Sequence, residues 1–206
     1  LSIGQCAAIA CLLEVSAPKP GNVHRGADFE DLTFHDFALS AAAIAPIFDA
    51  ADRLRVGQII YQGVVATRSL VGTNTNLGLL LLMAPLAKVP AGVGLREGVA
   101  SVLASLTPQD AADVYAAIAH AHPGGLGEVE EHDVAGAPPE TLLDAMRLAA
   151  DRDLIARQYV ASFEDLDELV VQKLRAGLTR GWRLTDAIVH THVGLMAARP
   201  DSLIGR

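Results

Sequence analysis

The sequence predicts an all-α fold: a single-domain helical bundle with three functional loops. Three observations predict it. Alanine fills about a sixth of the 206 positions, and alanine is the strongest helix former. Alternating runs of β-branched or aromatic residues are scarce, so little reads as a half-buried strand. Apolar residues recur at helical spacing behind legible start signals.

Ser2 caps the apolar stretch from Ile3 to Val15. Thr33, ahead of Phe34, His35 and Asp36, opens a helix through about Ala51, with Phe34, Phe37, Ala38, Ala41 and Ile44 at helical spacing. Helices are predicted near 56–70, 76–87 and 95–105. Thr107, Pro108 and Asp110 supply a cap, a first-turn proline and a first-turn acid for a helix to about Ala121. Pro138, Pro139 and Glu140 start another, carrying Leu142, Leu143, Met146 and Ala149. Phe163 to Leu178 and Leu184 to Ala198 complete the set, the second with Asp186 in its first turn. No repeat, low-complexity tract or composition shift divides the chain, so one domain is expected.

Composition narrows the function classes. A hydrophobic share of 51% is too high for disorder. With 16 Lys+Arg against 24 Asp+Glu, neither nucleic acid nor an anionic membrane is expected as the main partner. The longest apolar run, Leu77 to Ala87, is too short to span a bilayer, and Pro85 interrupts it. No basic region precedes an apolar core at the N-terminus, so a cytoplasmic protein without a signal peptide is expected. The chain opens on Leu1 and stops at Arg206, and both ends are treated as places where it could have been trimmed. Cys6 and Cys11 would sit about 140° apart on a helix, which excludes a tight pair.

Three non-helical segments hold the unusual chemistry. In Ser16 to Asp31, Pro18 and Pro20 stiffen the backbone around Lys19, and Gly21 permits a positive-φ turn after which His24 and Arg25 could converge with Lys19. Lys19 and Arg25 on a stiff loop suit a polyphosphate; a solvated surface connection is the plainer alternative. The second segment, Gly72-Thr73-Asn74-Thr75-Asn76, meets a helix N-terminus where free N–H groups favour an anion, although one cap needs only part of it. The third, Pro123 to Pro139, follows His120 and His122 and carries Glu128, Glu130, Glu131, His132 and Asp133. Its carboxylates could bind magnesium or act as a general base. The histidine spacing matches no zinc motif. His190 and His192 point to different helix faces, so at least one is structural, and His35 reads as a first-turn surface residue.

Taken together, the residues meet a known family. Glu14-Val15-Ser16, Lys19-Pro20-Gly21 and Arg25 resemble the EVS…PKPG-V-R signature of the triphosphoribosyl-dephospho-CoA synthase family. Ser40 to Phe48 is similar to its following SA…P-F helix, and Gly72, Asn74, Thr75 and Gly78 to its G-NT--G turn. His122 to Glu128 lies where the family has a glycine-rich, acidic segment, and Asp201 to Arg206 resembles the DSLI-R stretch of archaeal-like and methylotroph-like members. The resemblance implies an all-helical transferase joining ATP to the ribose hydroxyl of 3′-dephospho-CoA. Adenine leaves, and the product is a prosthetic-group precursor. It implies Glu14, His24 and Glu128 as catalytic residues. Lys19, Gly21, Arg25, Asn74, Thr75, Gly78 and His122 would bind substrate, and Glu128, Glu131 and Asp133 would hold Mg2+. Where better-known members read NTHKG, this chain reads Asn74-Thr75-Asn76-Leu77-Gly78, and His24 stands where they have aspartate. Three other readings stay open: a phosphoribosyl-type transfer in methanopterin-dependent one-carbon metabolism, a Mg-dependent nucleotide or ADP-ribosyl hydrolase, and a non-catalytic nucleotide-binding helical protein. An Ala-rich helix face could also form a homodimer.

Overall fold

The first helices start where local side chains can satisfy their free N–H groups. Such caps recur through the computed structural model, which describes residues 1–121 and 141–199. Ser2 and Gln5 close a capping box on α1 (Ile3–Ser16), and Thr33 and Asp36 close another on α2 (Phe34–Asp49). Then follow α3 (Val56–Leu70), α4 (Leu77–Ala87), α5 (Leu95–Ala104) and α6 (Pro108–Ala121). After the undescribed stretch come α7 (Leu142–Ala149), α8 (Leu154–Val160), a π-helical segment (Leu166–Val171), α9 (Gln172–Thr179) and α10 (Leu184–Ala198). The described residues are all-α, with a single isolated bridge between His24 and Ala27. No helix among them is long and apolar enough to cross a membrane.

Close contacts set how the helices run. Gly4 lies against Ala45, and its N–H donates to Asp49 Oδ1 at 2.7 Å. At the other end of the pair, Ser16 and Phe34 line one cleft, so α1 and α2 are antiparallel. Gly63 lies against Leu80 while Thr67 bonds Asn76, which makes α3 and α4 antiparallel as well. The result gathers the C-termini of α1 and α3 and the N-termini of α2 and α4 at one end of the bundle. Beneath them, one apolar core includes Ile44, Phe48, Ile59, Ile60, Leu80, Leu142 and Tyr159, all fully buried. Tyr159 donates its hydroxyl to Leu81 O at 2.7 Å; burial, then the charge of Asp110, push this phenol up.

Two elements differ from expectation. The helix α8 was not anticipated: seven residues are too few for a periodic signal, and Asp153 starts it by accepting from Ile155 N and Ala156 N. The helix expected from Phe163 starts one residue later, at Glu164, because Ser162 and Phe163 are left-handed, at φ 50° and 60°. Within it, Leu166–Val171 is π-helical. The start of α7 is capped by Thr141, while Pro138 to Glu140 lie outside the described residues.

Asp165, at the break, joins α8 to α10 through Arg157 (3.2 Å), Gln158 (3.1 Å) and Arg199 (3.0 Å). Burial pushes its carboxyl up, but hydrogen bonds from Arg199, Gln158 and Arg157 outweigh this and hold it below the usual carboxylate range. A carboxyl depressed in the folded state contributes stability above its unfolded value of about 4, and that stability is lost as pH falls through the folded value. With both guanidiniums substantially exposed, Asp165→Asn is expected to cost about 1 kcal/mol at neutral pH. It should also flatten the acid limb below about pH 4. Urea titrations across that range check it.

Candidate active site

Glu14, in the last turn of α1, and Lys19, three residues past its end, are brought together by the first loop. Ala17 and Val23 are buried and anchor the loop to the body, while Pro18 and Pro20 stay exposed between them. Gly21 turns the chain at φ 78°, a conformation open to glycine and costly for other residues. The Lys19 side chain, 5% exposed, therefore folds inward and pairs with Glu14, which is 28% exposed. Its ammonium donates to Glu14 Oε1 and to Glu14 O, the latter at 2.5 Å. Asn22 Nδ2 donates to the same Oε1 at 3.3 Å. Glu14 Oε2 receives no hydrogen bond from the described residues, so the carboxylate is fixed through one oxygen and available through the other.

His24 closes a tight turn with Ala27, and its Nδ1 accepts from Gly26 N at 3.1 Å. Arg25 is exposed and lines a cleft of about 480 Å³ with Ser16, Asp28, Phe34 and His35. Lys19 turns into the fold to neutralise Glu14, and Arg25 remains the outward cation.

The second loop joins the same end. Gly72 has φ 44°, and Arg68 donates to its carbonyl. Asn74 Oδ1 accepts from Leu77 N at 3.1 Å and caps α4. Thr75 Oγ1 lies 2.6 Å from Ser40 Oγ of α2. Asn76 is buried and donates to buried Thr67 Oγ1 at 2.9 Å, which ties the loop to α3. Gly78 packs on α8: a Cβ there would sit 3.1 Å from Ile155 Cδ1. Another cleft, about 660 Å³, lies at the other end of the bundle. Its Lys88 caps the carbonyls of Ala51 and Asp52, and its Arg55 pairs with Asp113 at 2.8 Å, so these cations already serve the fold.

The model of the CitG family, described as ATP:dephospho-CoA triphosphoribosyl transferase, matches residues 1–206, the whole chain. The chain belongs to this family. No curated protein and no solved structure matched it. The family is a transferase, a triphosphoribosyl-dephospho-CoA synthase, with ATP and dephospho-CoA as substrates.

Of the residues expected to serve this transferase, Glu14, Lys19, Gly21, His24, Arg25, Asn74, Thr75 and Gly78 are described, on or beside the first two loops. His122, Glu128, Glu131 and Asp133 lie outside the described residues, as do His132 and Asp201 to Arg206. Among the described residues, no group of three or more His, Cys, Asp or Glu is placed to hold a metal ion. His190 stacks edge-on against Trp182 at 4.8 Å, which gives it a structural role. Sequence reasoning assigned no part to Ser40 or Asn22. Ser40 stood in the family-like helix, but nothing local signals a partner 35 residues away.

Cys11 is buried one turn before Glu14. Burial, then the Glu14 charge, push its thiol up to about 12. Cys6 is exposed, and both thiols are free. Labelling with a thiol reagent at neutral pH is expected to modify Cys6 in the folded protein and Cys11 only after unfolding. Rapid modification of two thiols would contradict the packing of α1.

Proposed function

We propose that this chain transfers the 5-triphosphoribosyl group of ATP to the ribose hydroxyl of 3′-dephospho-CoA and releases adenine. The observation that carries the reading is the Glu14 carboxylate, held by Lys19 and Asn22 through one oxygen at the loop end, in a member of this family. In the proposed step the acceptor oxygen bonds to the anomeric carbon of ATP's ribose. The bond from that carbon to adenine breaks, and its electron pair leaves with the base. Glu14 takes the hydroxyl proton, and its charge stabilises the oxocarbenium-like state at the sugar. His24 supplies the proton that departing adenine needs, with His122 as the alternative donor. The triphosphate stays on the transferred sugar, and Arg25 faces it as the exposed cation.

Lys19, in this reading, positions Glu14 and does not grip phosphate. Glu128, Glu131 and Asp133, as hard oxygen donors, would hold magnesium, which would offset the charge of the triphosphate. The product is the prosthetic-group precursor, made in the cytoplasm, where ATP is available. The test is a chromatographic and mass assay of the protein with ATP, magnesium and 3′-dephospho-CoA. Free adenine with an adduct heavier by a triphosphoribosyl unit is expected. Adenine without the adduct would indicate hydrolysis, and no adenine at all would overturn the reading.

A further inference from the structure

We infer that Thr75 reads a ribose hydroxyl of the bound nucleotide, and that Ser40, buried beneath it, sets this by fixing Thr75 as a hydrogen-bond acceptor. The inference rests on the nucleotide reading above and specifies what the second loop recognises.

The argument is a count of hydrogens. Ser40 is 1% exposed, and its Oγ makes two contacts of 2.6 Å, one to Asp36 O and one to Thr75 Oγ1. Asp36 O is a carbonyl and has no hydrogen to give, so the single Ser40 hydrogen points to it. The contact between the two hydroxyls must then use the Thr75 hydrogen. Thr75 is half-buried and directs its proton inward, which leaves only lone pairs for a ligand. Such an oxygen repels a phosphate oxygen and accepts from a hydroxyl.

Its neighbour is complementary. Asn74 Oδ1 is occupied by Leu77 N, so the Asn74 amide offers donors. A donor beside an acceptor matches a hydroxyl, which both gives and takes a hydrogen bond. The amine of adenine beside its ring nitrogen offers the same pair, but the base departs in the proposed step, so only the sugar can be held throughout the transfer. Asn76 is not part of this reading surface, because its amide is buried against Thr67. The turn is therefore a ribose reader, which is narrower than the sequence expectation that Asn74 and Thr75 hold ribose or phosphate alike.

The experiment measures binding of ATP, 2′-deoxy-ATP and 3′-deoxy-ATP by calorimetry, with adenine release followed in parallel. The wild-type chain is expected to bind ATP about three- to tenfold more tightly than one of the two analogues, the effect of one neutral hydrogen bond. Thr75→Val should lower that ratio toward one, leaving only the Asn74 contact, and Thr75→Ser should keep it. Ser40→Ala should lower it, because the released Thr75 hydroxyl can rotate and no longer holds a lone pair outward. Thr75→Val carries the test alone should Ser40→Ala fail to fold. Equal affinity of the wild type for all three nucleotides, or a ratio unchanged in Thr75→Val, overturns the inference. Discrimination without adenine release would overturn the transfer reading and support this one. Adenine release with no discrimination would do the reverse.

Discussion

Glu14→Gln is expected to lower adenine release about 10²- to 10⁴-fold, because the amide keeps the shape of the carboxylate but neither takes a proton nor carries charge. The loss should fall on kcat more than on KM, since the charge matters most at the developing cation. Stability should fall too. Lys19 is 5% exposed, and removing its counter-charge strands a buried ammonium, at about 3 kcal/mol. Lys19→Met should cost less, because Glu14 is 28% exposed and water can reach its free oxygen. The double variant, Glu14→Gln with Lys19→Met, separates the two roles. It should recover part of the stability, having no buried charge, and none of the turnover. Initial rates and urea midpoints on the same four proteins check this. Wild-type turnover in Glu14→Gln would make the pair purely structural.

A large stability effect away from the loops is expected from Gly57→Ala. A Cβ on Gly57 would lie 2.7 Å from Asp110 O and 2.8 Å from Asp110 Cα and Asp113 Cβ. The nearest atoms are backbone, so no side chain can swing aside, and α3 must move off α6. That movement also breaks the bond from Gly57 N to Asp110 Oδ1, 2.9 Å long and buried. Together these should cost about 3 kcal/mol or more, read from denaturant midpoints. The ATP to deoxy-ATP binding ratio should not change in whatever fraction stays folded, because Gly57 lies at the far end of α3 from the second loop. A variant as stable as the wild type would show that α3 and α6 can separate freely.

The helix starts were legible because their chemistry is local. Ser2 with Gln5, Thr33 with Asp36, and Thr107 with Asp110 are each three residues apart and bond as their spacing suggests. Less legible was the chain from 150 to 171. There Ser162 and Phe163 take left-handed conformations that no propensity favours, and the Asp165 cluster draws Arg199 from 34 residues away. The candidate site was readable to the same depth. Its loops and most of its polar residues stood out, and the family resemblance named them. Which of those side chains face a ligand did not. Lys19 reads as a surface cation between two prolines, and only the buried anchors Ala17 and Val23 with the turn at Gly21 swing it against Glu14.

Sequence alone therefore determined the all-α class, the capped helices, the polar loops and the family, since each rests on residue type and short-range spacing. Tertiary structure decided which partners the side chains of the two loops meet. Lys19 pairs with Glu14, and Thr75 lies against Ser40. The physical reason is that donor and acceptor identity belongs to a hydroxyl or an ion only after its other partners are known. For Thr75 that partner sits on another helix.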